Sequence, residues 1–110
     1  MFEKDWKKSY LLDFYGDVLS PRKKEALDLY YNEDLSLSEI AEHLGISRQG
    51  VRDMIKKGEE ELDFLEEKLG LAEKMSKLRL HSEKAMEMVD SLDIPEGLKC
   101  EIVEIAKAIK

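Results

Sequence analysis

Between Ser47 and Lys57 the chain carries Arg48, Arg52, Lys56 and Lys57 against Asp53 alone, with Gln49 among them. Arg48, Arg52 and Lys56 recur at intervals of four, a spacing that sets all three along one stripe if the segment is helical. Side chains of these types in this pattern either bind nucleic acid without covalent chemistry or form a solvated basic face on a purely structural helix. A guanidinium pairs with the guanine edge, a glutamine amide pairs with adenine, and an ammonium group meets phosphate. Ser47, Arg48, Gln49, Arg52, Asp53, Lys56 and Lys57 are therefore the candidate contact residues. No residue set suggests bond making or breaking. His43 and His81 lie far apart and Cys100 is the single thiol, so zinc-type ligand spacing is missing. The carboxylates are many, but none stands beside a nucleophile or a phosphate-cradling glycine loop. The sequence predicts a binding protein and not an enzyme, with no metal, cofactor or small-molecule substrate. Cys100 reads as a small buried or half-buried side chain, and the two histidines as structural or solvent-exposed.

To present such a stripe, the basic segment must be held rigidly by the residues before it. Ser36 followed three residues later by Glu39 is a capping box that opens a short helix ending near Leu44. Gly45 can take the left-handed conformation that closes the helix, and Ser47 can cap the next one. Ala41 supplies a small residue where two crossing helices approach each other, while Ile40, Leu44, Ile46, Val51 and Met54 form the apolar wedge between them. This is the pattern of a helix-turn-helix, whose second helix enters the major groove N-terminus first.

The remaining elements are also helical. Phe2, Trp6, Tyr10 and Phe14 at intervals of four, with Leu11 and Val18 beside them, predict a first helix reaching about Leu19 and aromatic on its buried side. Ser20 and Pro21 are a helix start, and Ala26, Leu27, Leu29, Tyr30 and Tyr31 provide that second helix with an apolar face. Past Lys57 the helix meets no firm stop until Gly70, which either ends it or is tolerated within it. Glu59, Glu60, Glu61, Asp63, Glu66 and Glu67 face Lys68 alone in this stretch. The acidic block is readable as a solvated face or as a gate competing with nucleic acid for the neighbouring basic stripe. Leu71, Met75, Leu78, Ser82, Ala85, Val89 and Leu92 alternate at four and three, the seam of a helix packed lengthwise on a neighbour. Ile94 and Pro95 force a break, and Leu98, Ile102, Ile105 and Ile109 mark a last helix.

With 110 residues, 43% hydrophobic and 39% charged, the chain can bury a core without disulfides and is not a disordered segment. Sparse β-branched and aromatic residues beside abundant Leu, Lys, Glu, Met and Ala predict an all-α fold. The expected organisation is a helix-turn-helix core of three to four helices over 1–69, then a helical extension over 70–110. That extension packs on the core or on a second subunit, within the same structural domain. No apolar run approaches the roughly 20 residues a membrane span needs, and a single cysteine with no secretion-type start predicts a cytoplasmic protein. A net charge of −7 repels nucleic acid at long range, so any attraction must come from the local basic stripe. The apolar seams of the last two helices exceed what the core needs, which predicts a homodimer.

The chain also resembles a known family. Leu12 to Tyr15, Leu19-Ser20-Pro21, Leu29-Tyr30-Tyr31, Asp34 to Leu37, Glu39-Ile40-Ala41 and Ile46 to Gln49 together are similar to the YlxM family of small helix-turn-helix proteins of Gram-positive bacteria, related in this segment to region four of sigma factors. The resemblance spans most of the chain. It implies a cytoplasmic protein whose gene neighbours that of the signal recognition particle protein. Its partner would then be DNA or, alternatively, that particle's protein or RNA, whose GTPase it would modulate without reading DNA sequence. The family usually has alanine where this chain has Gly50, and glycine costs about 1 kcal/mol in a helix interior, so fraying or bending is expected there.

Overall fold

The computed structural model describes residues 6–109. Over this range the chain is all-α, as the composition predicts. Its helices are α1 (Trp6–Tyr15), α2 (Pro21–Tyr31), α3 (Leu37–Leu44), α4 (Arg48–Leu69), α5 (Leu71–Ser91) and α6 (Glu96–Ile109), with one 3-10 turn at Gly16–Val18. The backbone forms two compact units, 1–70 and 71–110.

The first unit is a four-helix assembly in which α4 packs against α1, α2 and α3. Its helix boundaries follow from local chemistry. The Ser20 hydroxyl accepts from the Lys23 amide with Pro21 at the first helical position, so both devices act together at the start of α2. At α3 the capping box is complete: Ser36 Oγ accepts from the Glu39 amide at 3.1 Å and Glu39 Oε1 accepts from the Ser36 amide at 3.0 Å. The Glu39 carboxyl is held below the ordinary glutamate range, chiefly by the hydrogen bond from the Ser36 backbone. Between α2 and α3, Asp34 adopts φ 56°, a left-handed conformation that aspartate tolerates better than most side chains.

The core draws on every helix of the unit. Leu11, Leu27, Ile40, Val51, Ile55 and Leu62 are its largest fully buried side chains. Gly58 is a packing device that the sequence pattern does not reveal. It sits buried mid-helix in α4, and a Cβ there would lie 2.7 Å from Leu27 Cδ1. Only a missing side chain lets α4 come this close to α2, which justifies a glycine in a helix interior.

Four sequence expectations change. The buried face of α1 is Leu11, Leu12 and Tyr15, while Tyr10 and Phe14 are only half-buried. Phe2 and the side chain of Trp6 lie outside the described residues. Val18 is exposed because α1 stops at Tyr15 and the 3-10 turn rotates the chain away from the helical register. Cys100 is exposed, on an α6 that buries none of its residues. Gly50 neither frays nor bends the helix, since it occupies the third position of α4, where its amide donates to the Ser47 cap at 2.9 Å. The question at Gly70 is also resolved: α4 ends at Leu69, and Gly70 closes it at φ 62° with its amide donating to the Glu66 carbonyl.

In the second unit α5 packs along α6, the two joined across Ile94 and Pro95. Among the described residues no helix is long and apolar enough to cross a membrane.

Candidate nucleic-acid interface

The candidate site is the first three turns of α4, and three features of the preceding segment fix their direction. First, α3 ends when Gly45 adopts φ 70° and its amide donates to the Ala41 carbonyl. Second, the Ile46 amide donates to that same carbonyl at 3.1 Å, closing a tight corner and holding Ile46 half-buried. Third, Ser47 in extended conformation caps α4. The two helices are separate rods joined by three residues.

The wedge between them matches the sequence pattern. Ile40 and Val51 are fully buried and Ala41 is nearly so, while Leu44, Ile46 and Met54 are half-buried. With Val51 and Ile55 at zero exposure, helical periodicity forces the intervening residues outward. Ser47, Arg48, Gln49, Arg52, Asp53, Lys56 and Lys57 are all exposed. Arg48, Arg52 and Lys56 span two turns and more, roughly 12 Å along the axis, comparable with the roughly 12 Å width of a major groove.

The ridge has internal structure. Gln49 Nε2 donates to Asp53 Oδ1 at 3.0 Å, so the one carboxylate of the stripe orients the one amide. Leu37 at the start of α3 joins Arg48, Gln49 and Arg52 around a shallow concavity of about 310 Å³. Two guanidinium-bearing residues thus border a recess that α3 helps to form. The Ser47 oxygen is committed to the Gly50 amide, which leaves its hydroxyl hydrogen for an outside acceptor.

The acidic block that follows is solvated in part, and most of its members also hold other helices. Glu59 accepts from the Tyr31 hydroxyl, Glu61 pairs with Lys23 at 3.1 Å, Asp63 pairs with Lys8 at 3.0 Å, and Glu66 accepts from the Tyr15 hydroxyl at 2.6 Å. Four of its six acids thus fasten α4 to α1 and α2, while Glu60 and Glu67 are exposed. These cross-links were not legible because each depends on helices brought together from 28 to 55 residues away. Tyrosines opposite an acidic run are the signal that could have suggested them.

A helix pair of this geometry, with a short left-handed corner and a capped, outward-basic second member, defines a helix-turn-helix protein. Residues 2–99 match the family model UPF0122, described as "Putative helix-turn-helix protein, YlxM / p13 like", and the chain belongs to that family. It is similar to the UPF0122 protein of Acetivibrio thermocellus, with 45% identity over 108 residues covering 98% of this chain and 92% of the relative. The UPF0122 protein of Caldanaerobacter subterraneus subsp. tengcongensis is 47% identical over 79 residues, 72% of this chain and 68% of the relative. That of Exiguobacterium sibiricum is 40% identical over 87 residues, 79% and 78% of the two chains.

Proposed function

We propose that this protein is a DNA-binding regulatory module of the cytoplasm, non-enzymatic, in which Arg48, Gln49, Arg52 and Asp53 meet base edges while Ser47, Lys56 and Lys57 meet phosphate. The observation that carries this reading is the alternation within α4: Val51 and Ile55 have zero exposure, and every candidate contact residue around them is open to solvent. A purely structural helix has no need to concentrate its cations on one outward stripe ahead of an acidic block turned back on the fold. The module acts as a homodimer, so that two recognition helices address half-sites about one helical turn apart, roughly 34–36 Å.

A second reading has its own support. Gln49 is engaged by Asp53 and the chain carries a net charge of −7, both of which suit a partner read by shape or by protein contact. In this reading the same ridge binds the signal recognition particle's protein or RNA and modulates its GTPase. Fluorescence anisotropy against a random-sequence duplex pool and against that RNA, with capture by the immobilised GTPase, separates the two. Duplex binding that weakens in an Arg48→Ala/Arg52→Ala variant supports the first reading. Binding only to the RNA or the GTPase supports the second, and binding to none of the three rejects both.

A further inference from the structure

The second unit exposes an apolar face that its own two helices do not cover. Leu71 and Leu78 on α5 and Leu92 just past its end are 44%, 49% and 59% exposed, and with Ala85 they recur every seven residues. On α6, Leu98 and Ile105, also seven apart, are 52% and 58% exposed. Residues seven apart share one side of a helix. The two stripes flank a groove of about 190 Å³ where Leu78, Ala85, Ile102, Ile105 and Ile109 meet the polar His81 and Ser82. Only Ala72 and Val89 are buried on α5 and nothing is buried on α6, which is little to hold a helical hairpin closed in water.

The borders of this face carry opposite charge. On α5 the residues one before the stripe are Lys77 and Lys84, and three after Leu71 comes Lys74; all three are exposed, while His81, three after Leu78, is exposed and lines the groove. The residues four after the stripe, Met75, Ser82 and Val89, are half-buried or buried and form the opposite side. At the same offsets on α6 stand Glu104, one before Ile105, and Glu101, three after Leu98, on the outer side. The hairpin therefore presents an apolar face with a basic outer edge on α5, where Lys77 also pairs with Glu73 at 3.2 Å, and an acidic outer edge on α6, where Glu104 also pairs with Lys107 at 3.5 Å.

We propose that this face is an interface with a second copy of the chain, formed about a two-fold axis parallel to the helices. This arrangement lays each α5 over the α6 of the other copy, with every neighbouring pair antiparallel, and closes a four-helix bundle. It brings the basic edge of each copy onto the acidic edge of the other, with Lys84 near Glu101 and Glu104 of the second copy. A two-fold across the helices would lay α5 on α5 and the basic edge on the basic edge, which like-charge repulsion disfavours. The proposal rests on the homodimer reading but not on nucleic-acid binding.

Sedimentation equilibrium of the full chain tests it. The expected result is a dimer whose dissociation constant rises about tenfold or more in Lys84→Glu, and likewise in Glu101→Lys/Glu104→Lys, while the triple variant combining them recovers most of the loss. Leu78→Glu/Ile105→Glu should be monomeric, with far-UV circular dichroism reporting whether its helices persist. Lys84 is exposed, so its charge can be reversed without disturbing a core. A wild-type dimer indifferent to these changes, or tightened by Lys84→Glu, overturns this interface and leaves the homodimer reading standing. A wild-type monomer at tens of micromolar overturns both, and assigns the apolar face to a different partner.

Discussion

The hydroxyl of Tyr15, at the last residue of α1, donates to Glu66 Oε1 at 2.6 Å, joining two residues 51 apart in sequence across the seam between α1 and α4. The ring itself is buried, at 3% exposure, and meets Phe14 edge-on at a centroid separation of 5.2 Å. One side chain thus supplies apolar packing to the core and a charge-assisted hydrogen bond to its rim.

Tyr15→Phe keeps the ring and deletes the donor, leaving a part-buried carboxylate short of one partner. The expected loss is about 1–2 kcal/mol of stability in urea unfolding. Glu66→Gln, which retains an acceptor, should lose less. Equal losses would show that the bond depends on the charge of the Glu66 carboxylate and not merely on an acceptor at that position.

Gly58 gives a prediction of opposite logic, because alanine is the better helix former and yet should destabilise. The added methyl would lie 2.7 Å from Cδ1 of a fully buried Leu27. Overpacking of about 1–3 kcal/mol outweighs the gain of about 1 kcal/mol in helix propensity. Gly58→Ala should lower the thermal midpoint, and Leu27→Val in the same chain should recover part of the loss.

Gly50→Ala should do the reverse. A Cβ there would sit 3.2 Å from Ser47 Oγ, a close contact. The Ser36 cap already shows a side chain accommodated at the equivalent position, since Glu39 stands third in α3 and is hydrogen-bonded to its cap. The expected gain is about 0.5–1 kcal/mol, with the outward ridge of α4 unchanged. A loss of stability would mean that the Ser47 hydroxyl cannot yield.

The depressed Glu39 carboxyl sets a pH dependence. Its contribution is full above the ordinary value of 4.5 and is lost as the pH falls through the lower folded value. Wild type should therefore exceed Glu39→Gln in stability at neutral pH. The gap should close progressively below pH 4.5, as measured by denaturation at a series of pH values. A gap that persists unchanged well into acid would show that ionisation of Glu39 contributes nothing to the cap.

Much of this structure was legible because its signals are local. Ser20, Ser36 with Glu39, Gly45 and Ser47 each act on amides or carbonyls within a few residues, so their types and spacing specify helix ends directly. The outward stripe followed from periodicity once Val51 and Met54 were set in the apolar wedge. What escaped depends on tertiary approach. Gly58 carries no helix-ending role, so only its depth against Leu27 explains it. Likewise, the acids from Glu59 to Glu66 look like a solvated run until α1 and α2 bring Tyr15, Lys23 and Tyr31 against them. Periodicity placed Leu11 correctly in α1 but set Tyr10 and Phe14 inward, where Leu12 and Tyr15 are the buried neighbours.

The outward ridge of α4 is tested most directly by the salt dependence of duplex binding. Log affinity should fall linearly with log salt, at a slope of about −0.9 for each phosphate neutralised. Lys56→Ala should weaken binding uniformly across sequences and make the slope shallower by about one such unit. A Lys56→Ala protein with the affinity and slope of the wild type would contradict the role assigned to the ridge.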